Sequence, residues 1–294
     1  PGIPTGALRV HSEKNAGQSV ADKLAILSEQ MQDKNVDAHL LCALDEVAWT
    51  FNLRGSDVPY NPVFIAYALL EKEAATIFVD TNKITDEARR ALPENVYVES
   101  YDALLPTLKI LGMAGLRVWL DPAVASQGIA DHLSRHGAEL YLTAGSVPGL
   151  KSVKNKSEIA GARSAHIKDG VAMAKFLHWL EKEVPGGSVT EICVEKKLAE
   201  LRGTREGYVG DSFHPISGYG GHGAIVHYSA TEASNSTLKP EGVFLIDSGG
   251  QYEEGTTDIT RTLALGETSL EARQAYTAVL KGHLRLGDTM FLEG

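Results

Sequence analysis

Asp247 closes the apolar run Gly242-Val243-Phe244-Leu245-Ile246, and Asp258 opens a second extended segment, Asp258-Ile259-Thr260-Arg261-Thr262-Leu263. Side chains of a strand alternate between faces, so Leu245, Asp247 and Gly249 point one way, while Asp258, Thr260 and Thr262 share a face. If the two segments pair through the polar, glycine-bearing connection 248–257, both carboxylates converge on one point. Two bare carboxylates repel, and burial raises the pKa of at least one. A divalent cation removes that conflict, and carboxylate oxygens suit hard or borderline metals such as Mn²⁺. Spacing alone favours a plainer reading, two turn residues at strand ends. His227, in Ile225-Val226-His227-Tyr228, carries an imidazole that can donate and accept protons near neutral pH. Its plainer alternative is a core or strand histidine with a satisfied hydrogen bond. His214, beside Pro215, is placed to line a cleft, and His222 reads as a loop residue in the glycine cluster 218–223. That cluster lacks the strand–Gly-x-Gly-x-x-Gly–helix setting of a phosphate-binding loop, so a nucleotide site is rejected.

The elements that must position these residues follow from periodicity. Val20, Leu24, Leu27 and Met31 share one helical face, which predicts an amphipathic helix over 19–34. A strand is expected at 37–43, a short helix through Val47-Ala48-Trp49, and strands at Val63–Tyr67 and Thr76–Val79, which are rich in β-branched and aromatic residues. Helices near 84–92, 102–111 and 124–135 alternate with strands near 96–99, 117–120 and 138–142, the pattern of a layered α/β domain. At Val147-Pro148-Gly149-Leu150-Lys151 the pattern breaks into a connection. The boundary falls there, giving domains 1–150 and 151–294. Asn155, three residues before Glu158, has the spacing of a reciprocal helix cap. The helix it starts runs to Val184 and stops at Pro185-Gly186-Gly187, and Thr190 caps a second helix over 190–202.

Composition narrows the function classes. A net charge of −10 and a pI of about 5.5, with no stripe of Lys and Arg, disfavour a polyanion-binding role, so no nucleic-acid partner is expected. Only Cys42 and Cys193 occur, each in an apolar stretch, which fits a reducing compartment better than a disulfide scaffold. No run approaches the roughly 18 apolar residues of a membrane span. The segment Pro1-Gly2-Ile3-Pro4 has neither an initiator Met nor a signal core, and a cytoplasmic location is the expectation.

Read together, the motifs are more specific than the pair. Asp247-Ser248-Gly249-Gly250-Gln251-Tyr252 with Gly255-Thr256-Thr257-Asp258-Ile259-Thr260-Arg261-Thr262 closely resembles the first metal-ligand segment of the Xaa-Pro aminopeptidases (aminopeptidase P) of the pita-bread superfamily. Asn52-Leu53-Arg54-Gly55-Ser56-Asp57, then Asn61-Pro62-Val63-Phe64, resembles the second N-terminal domain of their three-domain subgroup. Ala165-His166-Ile167-Lys168-Asp169 and Trp179-Leu180-Glu181-Lys182-Glu183 resemble the helix that opens the catalytic domain. The resemblance implies an α/β, creatinase/prolidase-like N-terminal domain with a mixed sheet, followed by about half of an α+β pita-bread domain. It implies that Asp247 binds one metal, that Asp258 bridges two, and that His227 contacts substrate and stabilises the tetrahedral intermediate. Two Mn²⁺ ions would activate a hydroxide, and the substrates would be peptides with proline second, cleaved before the proline by a homodimer. Prolidase, which cleaves Xaa-Pro dipeptides only, and a non-catalytic pita-bread scaffold are the alternatives.

The resemblance also sets a limit. Family members complete the site with one His and two Glu from a later segment, and nothing after Asp258 matches them; the only later histidine is His283. The expectation is a fragment that lacks the first N-terminal domain and the second catalytic half, with weak Mn²⁺ binding and negligible peptidase activity of its own.

Overall fold

The structure, a computed structural model, describes residue 2 and residues 4–291. The flanking segments read above as interior to a longer polypeptide lie in part outside the described residues, at 1, 3 and 292–294. The chain divides into two compact units, residues 1–165 with 253–255, and residues 166–252 with 256–294.

The first unit is built on a six-stranded mixed sheet. Its spatial order is Val96–Ser100, Ala75–Val79, Ala66–Glu71, Ala38–Leu41, Arg117–Leu120, Glu139–Leu142. The three strands Ala38–Leu41, Arg117–Leu120 and Glu139–Leu142 run parallel, as do Ala75–Val79 and Val96–Ser100, while Ala66–Glu71 is antiparallel to both its neighbours. Alternation divides the sheet between two cores. Leu70, Ile77, Val79 and Trp119 face Leu27, Met31 and Val47 from the helices Val20–Asp33 and Leu44–Thr50. Leu40, Phe78, Val118 and Leu120 face Leu104, Leu108, Ile129 and Leu133 from the helices Leu104–Met113 and Gln127–Arg135. Helices thus cover both faces, as strands buried on both sides require.

Two expectations here need correction. The segment Val63–Tyr67 is not a strand; the ladder begins at Ala66 and runs to Glu71. Val63 and Phe64 are buried all the same, but their stretch pairs locally, with Gly55 N donating to Pro62 O, Asp57 N to Val63 O and Ile65 N to the Asp57 carboxylate. The connection at 147–151 is instead a short helix, Val147–Ser152, with Pro148 in its first turn, where no intrahelical N–H is needed.

Asn155 starts the helix Lys156–Glu183 as expected. Its Oδ1 accepts from the amides of Ser157 and Glu158, while Glu158 accepts from the amide of Asn155. The same side chain donates through Nδ2 to the carbonyl of Ala16 at 2.8 Å, closing on Gly17, whose φ of 68° and lack of a side chain leave room for it.

In the second unit, Thr190 Oγ1 caps the helix Glu191–Gly203. Met173, Phe176 and Leu180 of the long helix and Val194 and Leu198 of this one pack against Phe244 and Ile246. Those two residues belong to the middle strand of an antiparallel sheet, in the order Ile216–Tyr219, Val243–Ser248, Ile259–Ala264. The stretch between the aspartate-bearing segments is more than a connection, since Gly250–Tyr252 forms its own ladder with Tyr208–Asp211. Among the described residues no helix is long and apolar enough to cross a membrane.

Candidate metal centre

The strand register brings the two aspartates together. Asp247 lies opposite Thr260, and Asp258 precedes Thr260 by two residues, so the carboxylates are diagonal neighbours on one face. Burial, then the adjacent Asp247 carboxylate, hold the Asp258 carboxyl above its ordinary value. Asp247 Oδ1 is buried with no hydrogen-bond partner.

The backbone around the pair is clipped from several sides. Gly250 N donates to Thr257 Oγ1 and Thr257 N to Gly250 O, both at 2.9 Å, while Ser212 Oγ donates to Thr257 O at 2.8 Å. A Cβ on Gly249 would stand 2.0 Å from Thr257 O, so only glycine fits. Beneath the turn, the buried Arg202 guanidinium donates to Asp169, to the Ser248 hydroxyl and to the Gly249 carbonyl, and Tyr252 donates its hydroxyl to Asp169.

A cavity of about 410 Å³ opens over the pair, lined by Phe213, His214, Ile216, His227, Tyr228, Ser229, Asp247 and Asp258. The structure therefore gathers all three predicted residues, Asp247, Asp258 and His227, with His214 beside them. His227 is exposed and has a left-handed backbone, φ 55°, outside any strand. His222 does not line the cavity; its Nδ1 donates to Glu191 at 2.9 Å. Sequence reasoning missed Arg202, Asp169 and the full burial of Glu191; charged residues on apolar helix faces were the available signal.

Can this site hold a cation? The unpartnered, buried Asp247 oxygen and the two adjoining carboxyls are an all-oxygen donor pair of the kind a hard divalent ion neutralises. The pair fits as part of a centre, but among the described residues no group of three or more His, Cys, Asp or Glu side chains is placed to hold a metal.

The two units and their strand-borne carboxylates have the pita-bread architecture with a creatinase-type N-terminal domain. The chain belongs to the creatinase/prolidase N-terminal domain family, whose model matches residues 1–158, and residues 160–293 match the model of metallopeptidase family M24. It is similar to aminopeptidase P2 of Arabidopsis thaliana, 36% identical across the whole chain and 46% of that protein. It is 39% identical to a probable Xaa-Pro aminopeptidase P of Chaetomium globosum, over 96% of the chain and 47% of the relative. The solved X-prolyl aminopeptidase of Caenorhabditis elegans, a cytosolic enzyme with a dinuclear active site, superposes with a TM-score of 0.93 at 32% identity, covering all of this chain and 49% of that one. The Xaa-Pro dipeptidase of Bacillus anthracis shares the fold, with a TM-score of 0.73 at 21% identity over 91% of this chain and 71% of its own. The chain spans about half the length of the curated relatives it matches.

Proposed function

We propose that the whole protein carrying this chain is a cytoplasmic Xaa-Pro aminopeptidase with two Mn²⁺ ions, releasing the residue that precedes a proline. The carrying observation is the buried, unpartnered Asp247 oxygen beside Asp258, in the same cavity as His227. Asp247 and Asp258 would help hold the two ions, Asp247 toward one and Asp258 toward both, and the ions would supply Lewis acidity and a nucleophile at neutral pH. His227 contacts the substrate and donates toward the oxygen on which charge builds. Proline calls for a dedicated peptidase because its nitrogen offers no hydrogen and its ring fixes φ. The dinuclear relative and the metallopeptidase family support the metal, and the cytosolic relative supports the compartment. A homodimer is part of the proposal.

Among the described residues only two carboxylates are gathered for a metal, a weak site, so the 294-residue chain by itself is expected to bind Mn²⁺ weakly and to show negligible peptidase activity. Robust Xaa-Pro hydrolysis by the isolated chain would overturn that expectation. For the whole protein, the test is Mn²⁺-loaded hydrolysis of longer Xaa-Pro peptides beside Xaa-Pro dipeptides. Cleavage of dipeptides only would make it a prolidase, and no stoichiometric metal after loading would make it a scaffold.

A further inference from the structure

Glu191 is fully buried at the start of the helix Glu191–Gly203, and among the described residues no Lys or Arg forms an ion pair with it. Four donors take its two oxygens instead. Oε1 accepts from the Tyr219 amide at 2.8 Å and from His222 Nδ1 at 2.9 Å; Oε2 accepts from the Ser236 amide at 2.9 Å and from the Tyr228 hydroxyl at 3.1 Å. Its own amide donates to Ser236 O, and its carbonyl accepts from Ser217 Oγ. One residue thus fastens both ends and the middle of the loop 219–236. The His222 and Tyr228 rings, both bound to it, stack at 4.4 Å.

His227 is the residue beside that anchor. Its left-handed backbone is uncommon for a residue with a side chain and persists only where the surroundings over-determine it. The surroundings are a tight turn, with Tyr228 N donating to Ile225 O at 3.2 Å, and the Tyr228 side chain seated on Glu191. We propose that Glu191 is a positioning residue that fixes His227 at the carboxylate cavity. The inference rests on the reading of His227 as the substrate-contacting group. Chemistry singles out a carboxylate here, because four donors and no acceptor face it; a glutamine would turn its NH₂ toward two of those donors.

The test follows the histidine rings of the 294-residue chain by NMR, with and without Mn²⁺, in wild type, Glu191→Gln and Tyr228→Phe. Glu200→Gln, on the exposed side of the same helix, is the control. In wild type, Mn²⁺ should broaden the His227 ring together with the amides of Ser248 and Ile259. In Glu191→Gln the His227 ring should shift and its broadening fall several-fold, while Ser248 and Ile259 stay broadened. Tyr228→Phe should move His227 the same way, by less, and it decides the matter if Glu191→Gln does not fold. Unchanged His227 shifts in both folded variants would overturn the proposal. If Mn²⁺ broadens none of these signals in wild type, the metal reading fails, and the metal-free His227 shifts still judge Glu191.

Discussion

Arg202 meets Asp169 through two parallel hydrogen bonds, Nε to Oδ1 at 2.6 Å and Nη2 to Oδ2 at 3.1 Å, with both side chains almost wholly buried. Because the same guanidinium also reaches Ser248 and Gly249, the turn that follows Asp247 depends on an ion pair in the core. Breaking a buried pair strands a charge, so Asp169→Asn or Arg202→Met should each cost about 3–5 kcal/mol in urea unfolding. The double variant should lose clearly less than the sum. Single losses near zero would mean that water reaches the pair.

Gly249→Ala tests the other clip. The added methyl carbon meets the carbonyl of Thr257, which cannot rotate aside, so a loss of about 2–3 kcal/mol is expected. Gly170→Ala, in the long helix with open space at its Cβ, should instead raise the melting temperature slightly. Equal effects in the two variants would contradict the crowding argument.

Stability should respond to pH through Glu46, which is 4% exposed. Burial, then the charges of Asp45 and Asp121, push its carboxyl from 4.5 up to about 7, with Lys151 pulling the other way. The folded state therefore holds this proton more tightly than the unfolded chain does. The contribution is fully present below about pH 4.5 and is lost as pH rises through 7. Glu46→Gln should gain about 2 kcal/mol at pH 8 and almost nothing at pH 4.5. His39 works in the opposite sense: burial holds its imidazole down to about 4, against an ordinary 6.5. Its contribution is present above pH 6.5 and lost as the pH falls through 4. Thermal melts of Glu46→Gln and wild type across that range separate the two.

The helix Leu270–Gly287 has no buried residue and exposes Tyr276, Leu280 and Leu284 at successive four-residue steps, one apolar stripe. The 294-residue chain should self-associate and bind an apolar dye. Leu280→Lys with Leu284→Glu should abolish both, as read by light scattering and dye fluorescence.

What the sequence reveals divides by range. Thr190, Asn155 and Glu158 act on amides two or three residues away, so their spacing sufficed. Asp247 and Asp258 were legible because two period-2 strands joined by a short connection admit few registers. Val63 and Phe64 misled because burial, which their composition signals, was mistaken for ladder pairing. The ladder of Gly250–Tyr252 with Tyr208–Asp211 and the donors gathered on Glu191 come from 26 to 45 residues away, where no local pattern records them.

Asn155 spans both ranges, with a cap partner two residues on and the Ala16 carbonyl 139 residues back. Serine or aspartate could accept from the same amides, but neither has the second N–H that reaches Ala16. The cap can form early in folding, whereas the closure waits until the chain's beginning has returned, since distant contacts carry the larger loop entropy. Asn155→Asp should therefore leave the folding rate nearly unchanged and speed unfolding, because the bond it deletes is made last.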